Sequence, residues 1–196
     1  AKGTSGQYTN PTGSMQPAEE ITIKDMSVVT VGPNTVSFAR ENGKMLLLYR
    51  DKIYDESNQG LMEAVQGKNK ADYTWYGLVD APDFVPAGEF MFDEVFGLKS
   101  APNGQDFTFI MRWGPKSDTA DTIDYYLYSY SPSVNPKVSL VKKFTPKEKD
   151  NGLYIPKIDT YNATGEYLAL NMYGCWNCGG GQPGKAIVDL KAKTVT

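Results

Sequence analysis

Histidine is absent from this chain of 196 residues, and cysteine occurs only twice. Without histidine, neither the Ser-His-Asp nor the Cys-His arrangement of nucleophilic catalysis can form. No apolar run approaches the roughly 20 residues that a membrane-spanning helix needs. We therefore expect no membrane span in this chain and no enzyme of the common nucleophilic classes.

Positive charge is not in excess either, since 20 Lys and Arg residues stand against 23 Asp and Glu residues. The formal net charge of −3 bears on solubility rather than on fold. No basic stripe runs along the sequence that would follow a phosphate backbone. A nucleic-acid partner is therefore not expected.

What the sequence does contain is a series of short segments rich in β-branched and aromatic residues, separated by turn residues. Thirteen tyrosines suit half-buried strands, in which a ring packs inward while its hydroxyl stays in water. Segment 56–67 has a helical pattern and predicts one or two helical turns. We predict an all-β fold of antiparallel sheets, with strands at 21–31, 35–38, 44–50, 72–79, 89–98, 106–113, 124–130, 138–144, 166–173 and 186–190.

An internal repeat organises these strands. Gly43, Gly104 and Gly165 are 61 residues apart both times, and each follows Asn or Thr. Each glycine is expected in a tight turn with positive φ, before a strand whose alternate residues enter a core. The apolar residues at the third and fifth positions after the glycines are Leu46 and Leu48, Phe107 and Phe109, and Leu168 and Leu170. The pattern predicts three blade-like repeats of about 61 residues.

The third repeat carries the motif DTYNATGEYLAL at 159–170 and the strand AIVDLK at 186–191. It resembles a blade of the TolB/PD40 type of β-propeller, in which a turn-strand like SPDGKYLAF precedes a strand ending in DL. Segments 100–130 form a poorer second copy. Propeller blades have periods of roughly 40–45 residues and close in rings of about 4–8. The resemblance therefore implies a partial propeller, or a sandwich that shares the turn chemistry of a blade.

Residues 1–19, AKGTSGQYTNPTGSMQPAE, are polar and lack periodicity. They are typical of an arm or linker that follows a removed signal or membrane anchor. We expect a single all-β domain over 20–196 and an extracytoplasmic location, either secreted or on the cell surface.

Cys175 and Cys178 form the single C-x-x-C motif. A structural disulfide suits an extracytoplasmic β protein and would stiffen a hairpin tip. A zinc site would need two chains, because four ligands are required. A redox pair is expected at a helix N-terminus, and here three glycines and a strand follow. The disulfide is the favoured interpretation, and intersubunit metal, redox activity and free thiols remain as alternatives.

Other motifs give weaker signals. The stretch GGGQPGKA at 179–186 lacks the hydroxyl and the following helix of a phosphate-binding loop, so no nucleotide cofactor is expected. Asp118, Asp121 and Asp124 lack the spacing of a calcium loop, so no metal is expected there. Asn162-Ala-Thr164 matches a glycosylation sequon, although the turn itself explains these residues.

The sequence favours a non-catalytic recognition or assembly module that contacts a protein partner or itself. The predicted contact surface is the tip at 173–184 together with the N-terminal arm, with Tyr173, Trp176 and Asn177 as binding residues. One alternative is a carbohydrate hydrolase, whose acid pair would come from Asp80, Asp83, Asp93 and Glu94. The other is a redox or metal module at the two cysteines.

Overall fold

The computed structural model describes residues 20–22, 36–57, 60, 62–79, 90–115, 123–134, 138–145, 154–174 and 184–196. Within these ranges the chain forms β-strands, one short 3-10 helix and no α-helix. The predicted all-β fold is confirmed. The strands are β1 (Glu20–Thr22), β2 (Val36–Glu41), β3 (Lys44–Tyr49), β4 (Lys52–Asp55), β5 (Thr74–Val79), β6 (Phe90–Ser100), β7 (Phe107–Pro115), β8 (Asp124–Tyr130), β9 (Val138–Phe144), β10 (Ile155–Tyr161), β11 (Tyr167–Tyr173), β12 (Gly184–Asp189) and β13 (Thr194–Val195).

The strands form three antiparallel sheets. The first sheet has the order β1-β5-β2-β3-β4, the central sheet β6-β7-β8-β9 and the third sheet β10-β11-β12-β13. The central and third sheets are simple meanders, in which each strand pairs with its neighbour in sequence. All three sheets are open, which agrees with a partial propeller or a sandwich.

The predicted repeat is confirmed at its turns. Gly43, Gly104 and Gly165 have φ values of 79°, 70° and 78°, a region that a side chain disfavours. In the second and third turns the hydrogen bonds also match, with the same shift of 61 residues. The amide of Gly104 donates to the carbonyl of Ala101 at 2.9 Å, and that of Gly165 donates to Asn162 at 3.1 Å.

The apolar pairs after these turns are all buried, as the repeat predicts. In β11, Leu168 and Leu170 point into the core while the residues between them do not, so this strand has one buried face. In β7, by contrast, every residue from Phe107 to Met111 is buried. Strand β7 is therefore covered on both sides.

The central sheet owes this double burial to its position between the other two. Its first face packs on the first sheet, where the ring of Phe38 lies 4.3 Å from that of Phe107 and 5.3 Å from that of Tyr130, centroid to centroid. Its second face packs on the third sheet, where Phe96, Ile110 and Leu127 join Leu168, Leu170 and Val188. The molecule is thus a stack of three sheets with two apolar layers between them.

One hydrogen bond crosses the second layer. The hydroxyl of Tyr161 on β10 donates to the hydroxyl oxygen of Thr108 on β7 at 3.0 Å, and both side chains are buried. Burial raises the pKa of Tyr161 well above its usual range, so the phenol stays protonated as a donor. The bond fixes how the third sheet sits on the central one.

Replacing Tyr161 by Phe should lower the free energy of unfolding by about 1–2 kcal/mol, because the buried Thr108 hydroxyl loses its partner. Chemical denaturation followed by circular dichroism measures this change. The double variant Tyr161→Phe, Thr108→Val removes both partners and should lose less than the sum of the single changes. Strict additivity would show that the two hydroxyls do not interact.

The sequon at Asn162 is part of the third turn. Its side-chain amide donates to the Thr164 hydroxyl at 2.8 Å, and its side-chain oxygen accepts from the amide of Tyr167 at 3.0 Å. Both ends of the Asn162 side chain therefore serve the turn, as the sequence suggested.

The outer face of the first sheet is apolar and buried. Leu46, Leu48 and Ile53 pack there with Trp75, whose indole nitrogen donates to the carbonyl of Lys70 at 2.8 Å. Trp75 is therefore a core residue.

The outer face of the third sheet is different. Tyr167 and Ile187 lie on it with 42% and 45% of their surface exposed. Asn171 follows Ile110 by 61 residues and therefore takes its position in the repeat. Lys185 pairs with Asn171 as Leu127 pairs with Ile110, so Lys185 takes the position of Leu127. At these two positions, apolar residues of the central sheet are replaced by polar ones in the third, whereas Ile187 takes the position of Ser129.

The prediction of one or two helical turns within 56–67 is wrong, because the residues that the structure describes in this segment form no helix. Gly60 donates its amide to the carbonyl of Phe96, Met62 to Val95 and Val65 to Ile53. The backbone of these residues bonds instead to the edges of two sheets, which outweighs the weak helical pattern. The short 3-10 helix Lys70–Asp72 lies after it.

Candidate functional site

The longer connections of the central and third sheets gather at one end of the stack. In a meander, successive connections alternate between the two ends of a sheet. Gly165 lies against Pro102, so the tight turns of the two sheets share one end. The rings of Tyr125 and Tyr154 lie 6.2 Å apart, so the opposite ends also coincide. We call this opposite end the loop end; the connections that begin or finish there are 80–89, 116–123, 145–154 and 174–183.

Tyr173 is the predicted binding residue that the structure describes. It is the last residue of β11, half-buried, and its ring packs on the layer between the central and third sheets. Its carbonyl accepts from the amide of Tyr154 at 3.0 Å, and the ammonium of Lys157 lies 4.8 Å from its ring centroid. The base of the tip at 174–183 is therefore held firmly by the third sheet.

Residues 175–183 of the predicted tip lie outside the described residues. This applies to the two cysteines of the predicted disulfide and to two predicted binding residues: Cys175, Cys178, Trp176 and Asn177. The predicted N-terminal arm at 1–19 lies outside them as well. What the structure places is the strand on each side of the tip, β11 up to Tyr173 and β12 from Gly184.

Of the four candidate acids for a hydrolase, Glu94 has a described side chain. Arg112, opposite it on β7, donates to its carboxylate from Nε at 2.8 Å and also from Nη2. The guanidinium lies 5.8 Å from the ring centroid of Phe96, and its hydrogen bond to Tyr125 opposes the rise in pKa that burial gives this phenol. Glu94 is therefore engaged in a cross-strand ion pair. Asp80 and Asp83 lie outside the described residues, as does the side chain of Asp93.

A second ion pair lies near the loop end of the central sheet and joins β8 to the edge strand β9. Lys143 on β9 contacts the carboxylate of Asp124 at 2.7 Å, and its ammonium lies 5.2 Å from the ring centroid of Tyr126. The hydrogen bond to Asp124 raises the pKa of Lys143. Asp118 and Asp121 lie outside the described residues, and the described part of the chain has no cluster of three or more metal-ligating side chains.

The cationic side chains described near the loop end contact aromatic rings or carboxylates of their own sheets. Arg112, Lys143 and Lys157 each lie over an aromatic ring. Such contacts contribute modestly to stability, about 0.5–1 kcal/mol each when exposed. They tie the residues beneath the loops to the sheets from which they come.

No protein-family model matches this chain, and no curated protein matches it. Among the residues that the structure describes, there is no helix with the length and apolar character needed to cross a bilayer.

Sequence reasoning missed the two ion pairs beneath the loops. Glu94 and Arg112 are 18 residues apart, and only the register of β6 against β7 makes them neighbours. The available signal was the alternation of the two strands, which allows opposite charges to be paired once the turn between them is placed.

Proposed function

We propose that this protein is a non-catalytic recognition module, and that it contacts another protein or a second copy of itself through the loop end. The observation that carries the proposal is the convergence of the four connections named above at one end of a rigid three-sheet stack. Binding residues concentrate on loops that a rigid scaffold positions. The connections at the opposite end, 101–106, 131–137 and 162–166, are shorter and leave less surface for a partner.

Tyr173 and Trp176 are the proposed anchors within this surface. Large aromatic side chains contribute most of the binding energy in many protein interfaces. The support for Tyr173 is its place at the edge of the loop end, where Lys157 and Tyr154 fix it. The support for Trp176 is its sequence context, since it stands between two cysteines in a polar, glycine-rich connection.

A disulfide between Cys175 and Cys178 remains part of the proposal, and so does an extracytoplasmic location. A covalent link across this connection would reduce the ordering cost that a flexible loop incurs on binding. Disulfides persist outside the cytosol, which is why the two proposals stand together.

The relation to TolB/PD40-type blades is also a proposal. It is supported by the 61-residue shift that relates the turn hydrogen bonds of the second and third repeats. It is supported as well by the four-stranded meander of both sheets.

Replacing Trp176 by Ala should weaken self-association about thirtyfold, the equivalent of roughly 2 kcal/mol for a central aromatic anchor. Static light scattering over a range of protein concentrations measures the change in average mass, and circular dichroism checks the fold. Tyr167→Ala is the matched control, because this exposed tyrosine lies on the outer face of the third sheet.

Equal masses for the wild type and Trp176→Ala, at concentrations where the wild type associates, would contradict a contact through the tip. A loss of mass in Tyr167→Ala alone would move the contact to the outer face of the third sheet.

A further inference from the structure

The segment Met62–Tyr73, here called the strap, joins β4 of the first sheet to β5 and passes along the side of the stack. Its first half bonds to two sheets at once. The amide of Val65 donates to the carbonyl of Ile53 on β4 at 2.7 Å, and that of Met62 donates to Val95 on β6 at 3.3 Å. The strap therefore covers part of an edge of the first sheet and part of an edge of the central sheet.

Apolar side chains anchor the strap at its two ends, at Met62 and at Tyr73, whose ring lies 5.8 Å from that of Trp75, centroid to centroid. Met62 is buried in the layer between the two sheets, and Ala64 packs against that layer from a half-buried position. Glu63, Gln66 and Gly67 are exposed. Between these two ends, apolar burial holds the strap only weakly.

The second half of the strap is held by two ion pairs, and by the hydrogen bond from the Trp75 indole to the carbonyl of Lys70. Lys68 forms an ion pair with Glu41 of β2, and the hydroxyl of Tyr73 donates to the same carboxylate at 2.9 Å. Lys70 forms an ion pair with Asp51 in the turn between β3 and β4, and 78% of the Asp51 side chain is exposed. Ion pairs at such exposed positions are weakened by salt.

The strap has few backbone hydrogen bonds to the sheets, whereas the strands are held by continuous hydrogen-bond ladders and by buried side chains. Local opening is easiest where few apolar contacts and few backbone bonds have to be broken. We propose that the strap is a charge-held latch, which opens as a unit while the three sheets stay folded and thereby uncovers the edges of β4 and β6.

Opening would release the carbonyls of Ile53 and Val95 from their strap partners. Uncovered strand edges are templates for pairing with another chain, and proteins commonly protect them with a covering segment. The strap therefore acts as such a cover, and Glu41 and Asp51 set how tightly it closes.

Hydrogen exchange of the backbone amides tests the latch directly. At constant pH, the amides of Met62 and Val65 should exchange about three to ten times faster in 0.5 M than in 0.05 M sodium chloride, because salt screens the two ion pairs. The amide of Leu170 lies in the ladder of the third sheet and reports global unfolding. Its exchange should change much less.

The variant Glu41→Gln removes one ion pair, and it should speed exchange at Met62 and Val65 in low salt while reducing the effect of added salt. Asp159→Asn is the matched control, because it removes the exposed pair with Lys185 on the third sheet and should leave strap exchange unchanged. If Met62 and Val65 exchange at the rate of Leu170 under all conditions, the strap opens only with the whole protein and the proposal is overturned. Equal acceleration by Glu41→Gln and Asp159→Asn would overturn it as well.

Discussion

Replacing Phe107 by Ala is expected to lower the free energy of unfolding by about 3–5 kcal/mol, a large part of the stability of a typical domain. Only 1% of Phe107 is exposed. Its ring stacks on Tyr130 with 4.6 Å between centroids and contacts Phe38 of the first sheet at 4.3 Å. The substitution therefore leaves a cavity between two sheets, and aromatic contacts on both sides are lost.

Equilibrium unfolding in urea, followed by tyrosine fluorescence and circular dichroism, measures this loss. Phe107→Leu is the matched variant, since it keeps most of the apolar volume and should cost clearly less. Tyr167→Ala, on the exposed face of the third sheet, should change stability by about 0.5 kcal/mol or less. A loss below about 1 kcal/mol in Phe107→Ala would mean that the first and central sheets are not packed as described.

Replacing Glu56 by Ala is expected to cost about 2–3 kcal/mol, because one carboxylate oxygen links the first sheet to the central sheet. This oxygen accepts from the amide of Met45 at 3.2 Å, from the amide of Ser100 at 2.9 Å and from the hydroxyl of Ser100. Hydrogen bonds to a charged acceptor are stronger than those between neutral groups. Removing the acceptor would leave both the amide and the hydroxyl of Ser100 without this partner.

Glu56→Gln separates the two contributions, because the amide oxygen still accepts but carries no charge. It should retain more than half of the stability that Glu56→Ala loses. Thermal and urea unfolding of both variants provide the comparison. Equal losses in the two variants would assign the effect to charge alone, and no loss in either would show that the link between the sheets is dispensable.

Much of the fold followed from strand patterns. The segments predicted at 124–130 and 138–144 coincide with β8 and β9, and β7 and β11 differ from prediction by one or two residues at their ends. These strands have strong alternation or dense aromatic content, so tertiary contacts and local preference agree. The glycine turns were likewise predictable, because positive φ strongly favours glycine.

Strands β4 and β10 were missed for identifiable reasons. The turn between β3 and β4 uses Arg50 and Asp51, both with positive φ, where a glycine or asparagine signal would be expected. Strand β10 contains Pro156, which argues against a central strand. Because β10 lies at the edge of the third sheet, the missing amide is tolerated there.

The candidate site was less predictable than the fold. Tyr173 was identified from its place before the C-x-x-C motif, but its support by Lys157 and Tyr154 depends on the pairing of β10 with β11. The segment 56–67, which includes the first half of the strap, was predicted as helical, because its contacts with β4 and β6 are not visible in a local pattern. Sequence periodicity reports on one element at a time, whereas these features arise between elements.

The outer face of the third sheet carries a polar group beside the exposed side chains of Tyr167 and Ile187, and this group affects what can pack there. Any additional sheet laid on that side would have to dehydrate the Lys185 ammonium, the Asp159 carboxylate paired with it and the Asn171 amide. Taking such groups out of water costs several kcal/mol per ion unless new partners replace the water. Covering this face would therefore require either new hydrogen-bond partners for these groups or apolar residues at positions 171 and 185.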